Sequence, residues 1–185
     1  MRFARAQSRM MGDFEPPRHL VILQTEDWVL NHRVDSALPG YLILGARTPA
    51  NDLSRLRPEA LAQLGMLLAR TQRALAAILK PRHLYIGRYG HTGGHSIHFH
   101  IMPVCEWVRE SFFSDPRYRV LNDFDRHPIG ADVTDETDGA ELTLYIWREF
   151  CENPVPPKIS GPPIHEVVER LKVCLAAPDT RGESP

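Results

Sequence analysis

Ser96, His98 and His100 alternate along the stretch Ser96-Ile97-His98-Phe99-His100-Ile101-Met102-Pro103, whose other residues belong in the middle of a sheet. Side chains of a strand point alternately to its two faces, so Ile97, Phe99 and Ile101 fall on one side and Ser96, His98 and His100 on the other. Residues two apart stand about 6.6–7 Å from each other along a strand, so both imidazoles could touch one phosphate or bind one metal ion. A neutral imidazole is a competent nucleophile toward phosphorus. It forms a phosphoramidate that water later opens, which divides one hard displacement into two easier ones. The second imidazole, protonated, would hold the equatorial oxygens as charge builds up. The Ser96 hydroxyl would bond the bridging or leaving oxygen. One strand histidine alone reads as a surface residue; two on one face beside a hydroxyl point to a site.

The residues before the strand favour an anion. Gly93 and Gly94 let backbone N–H groups approach a phosphate with no Cβ in the way, although a glycine pair also suits an ordinary turn. Arg88 ends the preceding strand and is expected to enter the same cleft, where its guanidinium suits bidentate phosphate binding. An isolated arginine is otherwise a solvated surface residue. His95 joins Arg88, Gly93 and Gly94 as a candidate substrate contact. His-x-His on a strand also presents two ligands to zinc, with His91 or His95 as a third. The stretch has no carboxylate near it, and Gly-Gly-x-Ser suits an anion better, so no metal ligand is assigned.

Several elements must position this row. His19-Leu20-Val21-Ile22-Leu23-Gln24 reads as a short buried strand, followed by Trp28-Val29-Leu30-Asn31 and Tyr41-Leu42-Ile43-Leu44-Gly45, with a turn ending in Pro39-Gly40 between the last two. A long helix is predicted over 54–79, with Leu61, Leu64, Leu68, Leu75 and Ile78 as its buried stripe and Pro81 closing it. Leu84-Tyr85-Ile86-Gly87-Arg88 precedes the histidine strand. The order of strands, one long amphipathic helix and strands again predicts an α+β fold, with the helix covering one sheet face. Further on, 107–113 reads as a short helix and 115–137 as surface loop. Asp138 with Glu141 fits a capping box opening a helix over 140–151, although alternation of Leu142, Leu144 and Ile146 would equally suit a strand. A Pro-rich connector leads to a last amphipathic helix marked by Ile164, Val167, Val168, Leu171 and Leu175. Trp107, Phe112, Phe113 and Trp147 are read as core, with walls of a base pocket as the alternative.

The 185 residues divide into an N-terminal arm (1–15), a main domain (16–104), a C-terminal extension packed on it (105–177) and a disordered tail (178–185). Lys and Arg number 22 against 23 Asp and Glu, so no global field argues for nucleic acid or an anionic membrane, and anion binding must be local. Cys105, Cys151 and Cys174 are far apart and read as free thiols in a reducing compartment. No window approaches the ~18 apolar residues of a spanning helix. The expected setting is soluble and cytoplasmic.

The stretch Gly93-Gly94-His95-Ser96-Ile97-His98-Phe99-His100-Ile101-Met102-Pro103, supported by Val29-Leu30-Asn31 and by Pro39-Gly40-Tyr41-Leu42-Ile43-Leu44, resembles the histidine-triad (HIT) superfamily of nucleotide hydrolases and transferases. The match covers about 27–104. The resemblance implies an antiparallel sheet of about five strands packed against the long helix, often dimeric, with a nucleoside phosphate bound over the histidine strand. It further implies that His98 is the nucleophile that becomes nucleotidylated, that His100 and Ser96 contact phosphate, and that Asn31 holds the ribose. Arg88 would match an Asn or Gln of the family. Two features depart from the pattern. Ser96 stands where the family's first histidine falls, and Tyr41 stands where many relatives have a histidine after Pro-Gly. Both bear on tautomer control and proton relay around His98.

The expected function is hydrolysis or nucleotidyl transfer on a nucleoside phosphate, phosphoramidate or dinucleoside polyphosphate through nucleotidyl-His98. No cofactor is expected, although a divalent cation could accompany a polyphosphate. The partner is a nucleotide, and a homodimer is compatible with the resemblance. A nucleotide-binding regulatory protein with little turnover and a His-x-His metal protein are the competing readings.

Overall fold

The computed structural model describes residues 15–89, 96–115, 117–118 and 139–176. Gly93, Gly94 and His95, together with His91, the Asp138 cap, most of the N-terminal arm and the C-terminal tail, lie outside the described residues.

Five strands form one antiparallel sheet: β1 (Val21–Gln24), β2 (Trp28–His32), β3 (Leu42–Ala46), β4 (His83–Gly87) and β5 (His98–Val104). Their spatial order is β1-β2-β3-β5-β4, which puts the histidine strand between β3 and β4. The alternation read from the sequence holds. Trp28, Leu30, Leu42, Leu44, Ile97 and Ile101 are buried on one face, and Phe99 packs beside them.

The long helix α1 (Pro58–Leu79) covers that face. It begins four residues after the expected start, because residues 53–55 close a tight 3-10 turn capped by Asp52, which accepts from the Ser54 N–H at 2.9 Å. Pro58 then opens the α-helix at a position where its missing N–H costs nothing. Lys80, in the left-handed region at φ 48°, ends it. The buried stripe is also rotated from the expected one. Ala60, Leu67, Thr71, Ala74 and Leu75 face the core, Leu64, Leu68 and Ile78 flank it, and Leu61 is exposed. Small residues at 60, 71 and 74 let the helix lie close to the sheet, which bulky leucines would hold off.

The C-terminal extension serves both faces. Its last helix, α4 (Ile164–Ala176), packs beside α1 and β1, and Val167, Val168, Leu171 and Leu175 join the same core. Arg70 of α1 donates to the Leu175 carbonyl at 2.6 Å. On the opposite face, α2 (Glu106–Ser114) and α3 (Gly139–Trp147) build a second core on Met102 and Val104. α3 runs on into a π-helical turn over Arg148–Glu152, so the alternation at 142–146 resolves as helix. Phe112, Tyr145 and Phe150 are buried there, with Trp107 and Phe113 packed against them. Trp147 is exposed.

The three cysteines are free. No helix among the described residues is long and apolar enough to cross a membrane.

Candidate functional site

Pairing register assigns residues to the histidine face. His98 lies opposite Gly45, and His100 opposite Ile43 on one side and Gly87 on the other. Asn31 lies opposite Ile43 in turn. Asn31, Ile43, His100 and Gly87 therefore form one cross-strand row, in which Asn31 stands two strands, or about 10 Å, from His100. The α2 and α3 core covers this face from Met102 onward, so His100, buried, sits at the edge of that cover and His98, half-buried, beyond it. Among the described residues, a Cβ at Gly45 would meet only the His98 Cβ, at 3.9 Å.

The two imidazoles are neighbours, with ring centroids 5.0 Å apart. Nδ1 of His98 lies 2.9 Å from the Ser96 carbonyl oxygen. A carbonyl only accepts, so Nδ1 carries the proton and, in the neutral ring, Nε2 carries the lone pair. β5 begins at His98, and Ser96 is half-buried just ahead of it. Ile97 anchors that approach by donating its N–H to the Ala50 carbonyl and accepting from the Ala46 N–H, both at 2.8 Å.

His100 has a different environment. Its Nδ1 lies 2.9 Å from the hydroxyl of Tyr41, which is buried. That hydroxyl accepts from Arg33 at 2.8 Å, and Arg33 in turn grips Asp35 with two bonds, at 2.5 and 3.1 Å. Burial, reinforced by the charges of His98 and Arg33, pushes His100 down to about 3. The sequence expectation of a protonated second imidazole is corrected here, because His100 is neutral at physiological pH. The phenol of Tyr41 is pushed up to about 12, chiefly by burial and against the pull of Arg33, so it keeps its proton. Burial opposes the charge on Arg33, but the hydrogen bonds to Asp35 and the favourable charges around it together outweigh burial and keep the guanidinium charged.

Arg88 follows Gly87, the partner of His100 and the last residue of β4. Its guanidinium donates to the Asn51 carbonyl at 2.6 Å and to the Asn51 side chain at 3.2 Å. The residue brought to the histidines from this segment is Tyr89, in phase with Gly87. Its ring centroid lies 5.5 Å from that of His100, and its hydroxyl donates to Thr143 of α3 at 3.4 Å. Asn31 is buried, and its amide donates to the His32 carbonyl at 2.7 Å. No group of three or more His, Cys, Asp and Glu among the described residues is placed to hold a metal ion.

Several solved structures are similar to this chain at low identity. They include a HIT-like protein involved in cell-cycle regulation from Bartonella henselae (9% identity, 84% of this chain and 85% of that one, TM-score 0.47). A zinc-bound histidine triad family protein from Mycobacterium smegmatis gives 16% identity over 85% of this chain and 84% of that one, TM-score 0.47. A diadenosine triphosphate hydrolase from Plasmodium falciparum gives 15% identity over 61% of this chain and 83% of that one, TM-score 0.45. At such identities the likeness is one of fold. No family model matches the sequence, and no curated protein does.

Relative to the histidine-triad pattern, three residues that complete the site carried little signal in the sequence. Tyr41 stood out only as a replacement for a histidine. Tyr89 could be found from phase, two residues after Gly87. Arg33 lies at the end of β2, out of register with any motif, and only the turn through Pro39-Gly40 brings Tyr41 back onto it.

Proposed function

We propose that the protein is a hydrolase or nucleotidyltransferase acting on a nucleoside phosphate, phosphoramidate or dinucleoside polyphosphate. The observation that carries this reading is the hydrogen bond from Nδ1 of His98 to the Ser96 carbonyl at 2.9 Å, which directs the lone pair to Nε2. Nε2 attacks the α-phosphorus, and the bond from phosphorus to the leaving group breaks with its electron pair. The leaving group takes a proton from solvent or from the Ser96 hydroxyl. Water or another acceptor then attacks the nucleotidyl-His98, loses a proton and releases the nucleotide, restoring the imidazole. His100 contacts a phosphoryl oxygen as a neutral donor. Asn31, about 10 Å away along the same row, is at a distance suited to a ribose hydroxyl. The absence of a Cβ at Gly45, beside His98, suits close approach of the nucleotide. A divalent cation would accompany a polyphosphate substrate.

Intact mass after incubation with a nucleoside phosphoramidate or a dinucleoside polyphosphate tests this. A nucleotidyl adduct or turnover that disappears in His98→Ala is expected. Nucleotide binding by calorimetry with neither adduct nor turnover would leave a binding protein and sink the enzyme reading.

A further inference from the structure

Ser96 and Tyr41 stand where the histidine-triad pattern that the sequence resembles has supporting histidines. The Ser96 carbonyl already orients His98, which leaves open what orients His100. The hydrogen-bonding roles of Arg33 and Tyr41 point to an answer. A guanidinium has donors only, so the Tyr41 oxygen must accept from Arg33 at 2.8 Å. The single Tyr41 proton is then available to His100, whose Nδ1 lies 2.9 Å away. An Nδ1 that accepts has no hydrogen of its own, so a neutral His100 carries its proton on Nε2. Asp35 holds Arg33 in place by a two-point grip. Arg33 also lies over the Tyr41 ring, 5.0 Å from its centroid, which fixes the phenol from its face as well as its oxygen.

We infer that Arg33 and Tyr41 are positioning residues that hold His100 as the Nε2–H tautomer, so that its one donor serves the phosphoryl oxygen. This rests on the proposed nucleotidyl chemistry for its purpose, but the tautomer itself does not. A donor fixed before substrate arrives requires no reorganisation as charge develops. Among the described residues, the charged and titratable groups facing His100 include His98 on its own strand, Tyr41, Arg33 and Asp35 from the β2–β3 connection, and Tyr89 beyond β4. Among the described residues, its ring has a polar contact with the Tyr41 hydroxyl.

The test is nitrogen-15 NMR of the histidine rings in the full chain, read between pH 5 and 8. The expected spectrum shows His100 neutral throughout, with Nε2 protonated and Nδ1 bare. Tyr41→Phe removes the donor and should bring in the Nδ1–H tautomer. It should lower kcat by about 10–100-fold, as loss of a partner that orients a site histidine does, with KM nearly unchanged. Arg33→Lys, which keeps a donor to Tyr41, should retain the wild-type tautomer. A wild-type spectrum showing His100 protonated on Nδ1, or doubly protonated at pH 7, overturns the inference even if Tyr41→Phe fails to fold. So does a folded Tyr41→Phe whose His100 tautomer is unchanged. An Nε2–H spectrum without a His98 adduct would sink the enzyme reading and leave the relay standing. An adduct with an Nδ1–H spectrum would do the reverse.

Discussion

Ser96 receives the ring of His98 at its backbone, the carbonyl oxygen lying 2.9 Å from Nδ1. Any residue at position 96 offers that carbonyl, so the tautomer of His98 is independent of the serine side chain. Ser96→Ala should therefore keep nucleotidylation of His98 within about tenfold of wild type, since the loss of one hydroxyl contact is worth about 1 kcal/mol. Adduct formation followed by intact mass over time checks this. A complete loss of adduct would mean that the hydroxyl does more than touch an oxygen.

Arg88 is tied to Asn51. Arg88→Ala should change nucleotide affinity by less than about twofold, because a guanidinium that does not face the ligand contributes no charge-assisted bond to it. Calorimetric titration with a nucleoside monophosphate gives the comparison, and a tenfold weakening would contradict it.

Burial lowers His100 to about 3 from an ordinary 6.5, and it lowers His32 as well. Their folded values lie below their unfolded ones, so between those values the unfolded chain binds more protons than the folded one. Stability is then full above about pH 6.5 and falls as the pH drops from there toward 3. Each such group contributes up to about 1.4 kcal/mol per pH unit. Denaturant melts of wild type and His100→Gln at pH 6.5 and 5, above the main range of carboxylate titration, should show a shallower pH slope in the variant. Equal slopes would mean that His100 is not held low.

The ring of Tyr89 lies over Gly87, where a Cβ would come within 2.7 Å of it, and against His100. Since burial is the main force on His100, Tyr89→Ala should admit water and raise the His100 titration midpoint toward 6.5. The same NMR titration reads it. A ring that stays neutral throughout that pH range would show that the α2 and α3 core buries it without help from Tyr89.

Gly40 has φ 80°, and a Cβ there would lie 2.5 Å from Leu79 Cδ1 and 3.3 Å from Pro103. Gly40→Ala is expected to cost about 1–3 kcal/mol from left-handed strain and contact together. The same change would displace Tyr41, the next residue, from His100. A thermal melt together with the His100 tautomer should show both effects, and an unchanged Tm would refute the packing argument.

The Ser96-Ile97-His98-Phe99-His100-Ile101 pattern by itself determined the histidine face and the apolar face, because strand period is a local property fixed by the pleat. The five strands and both long helices were legible for the same reason, each carrying its own periodicity. What was not legible depends on which residues meet across the sheet. Tyr41 and His100 are 59 residues apart in sequence. Whether the imidazole is charged depends on how much water α2, α3 and Tyr89 exclude from it. Arg88 shows the same limit from the other side. Its residue type suits phosphate, but in the fold its guanidinium is bonded to Asn51. Chemistry-bearing types and their spacing are local, and the chain writes them directly. Protonation states, tautomers and the partner of each donor arise from burial and cross-strand register, which only the assembled fold decides.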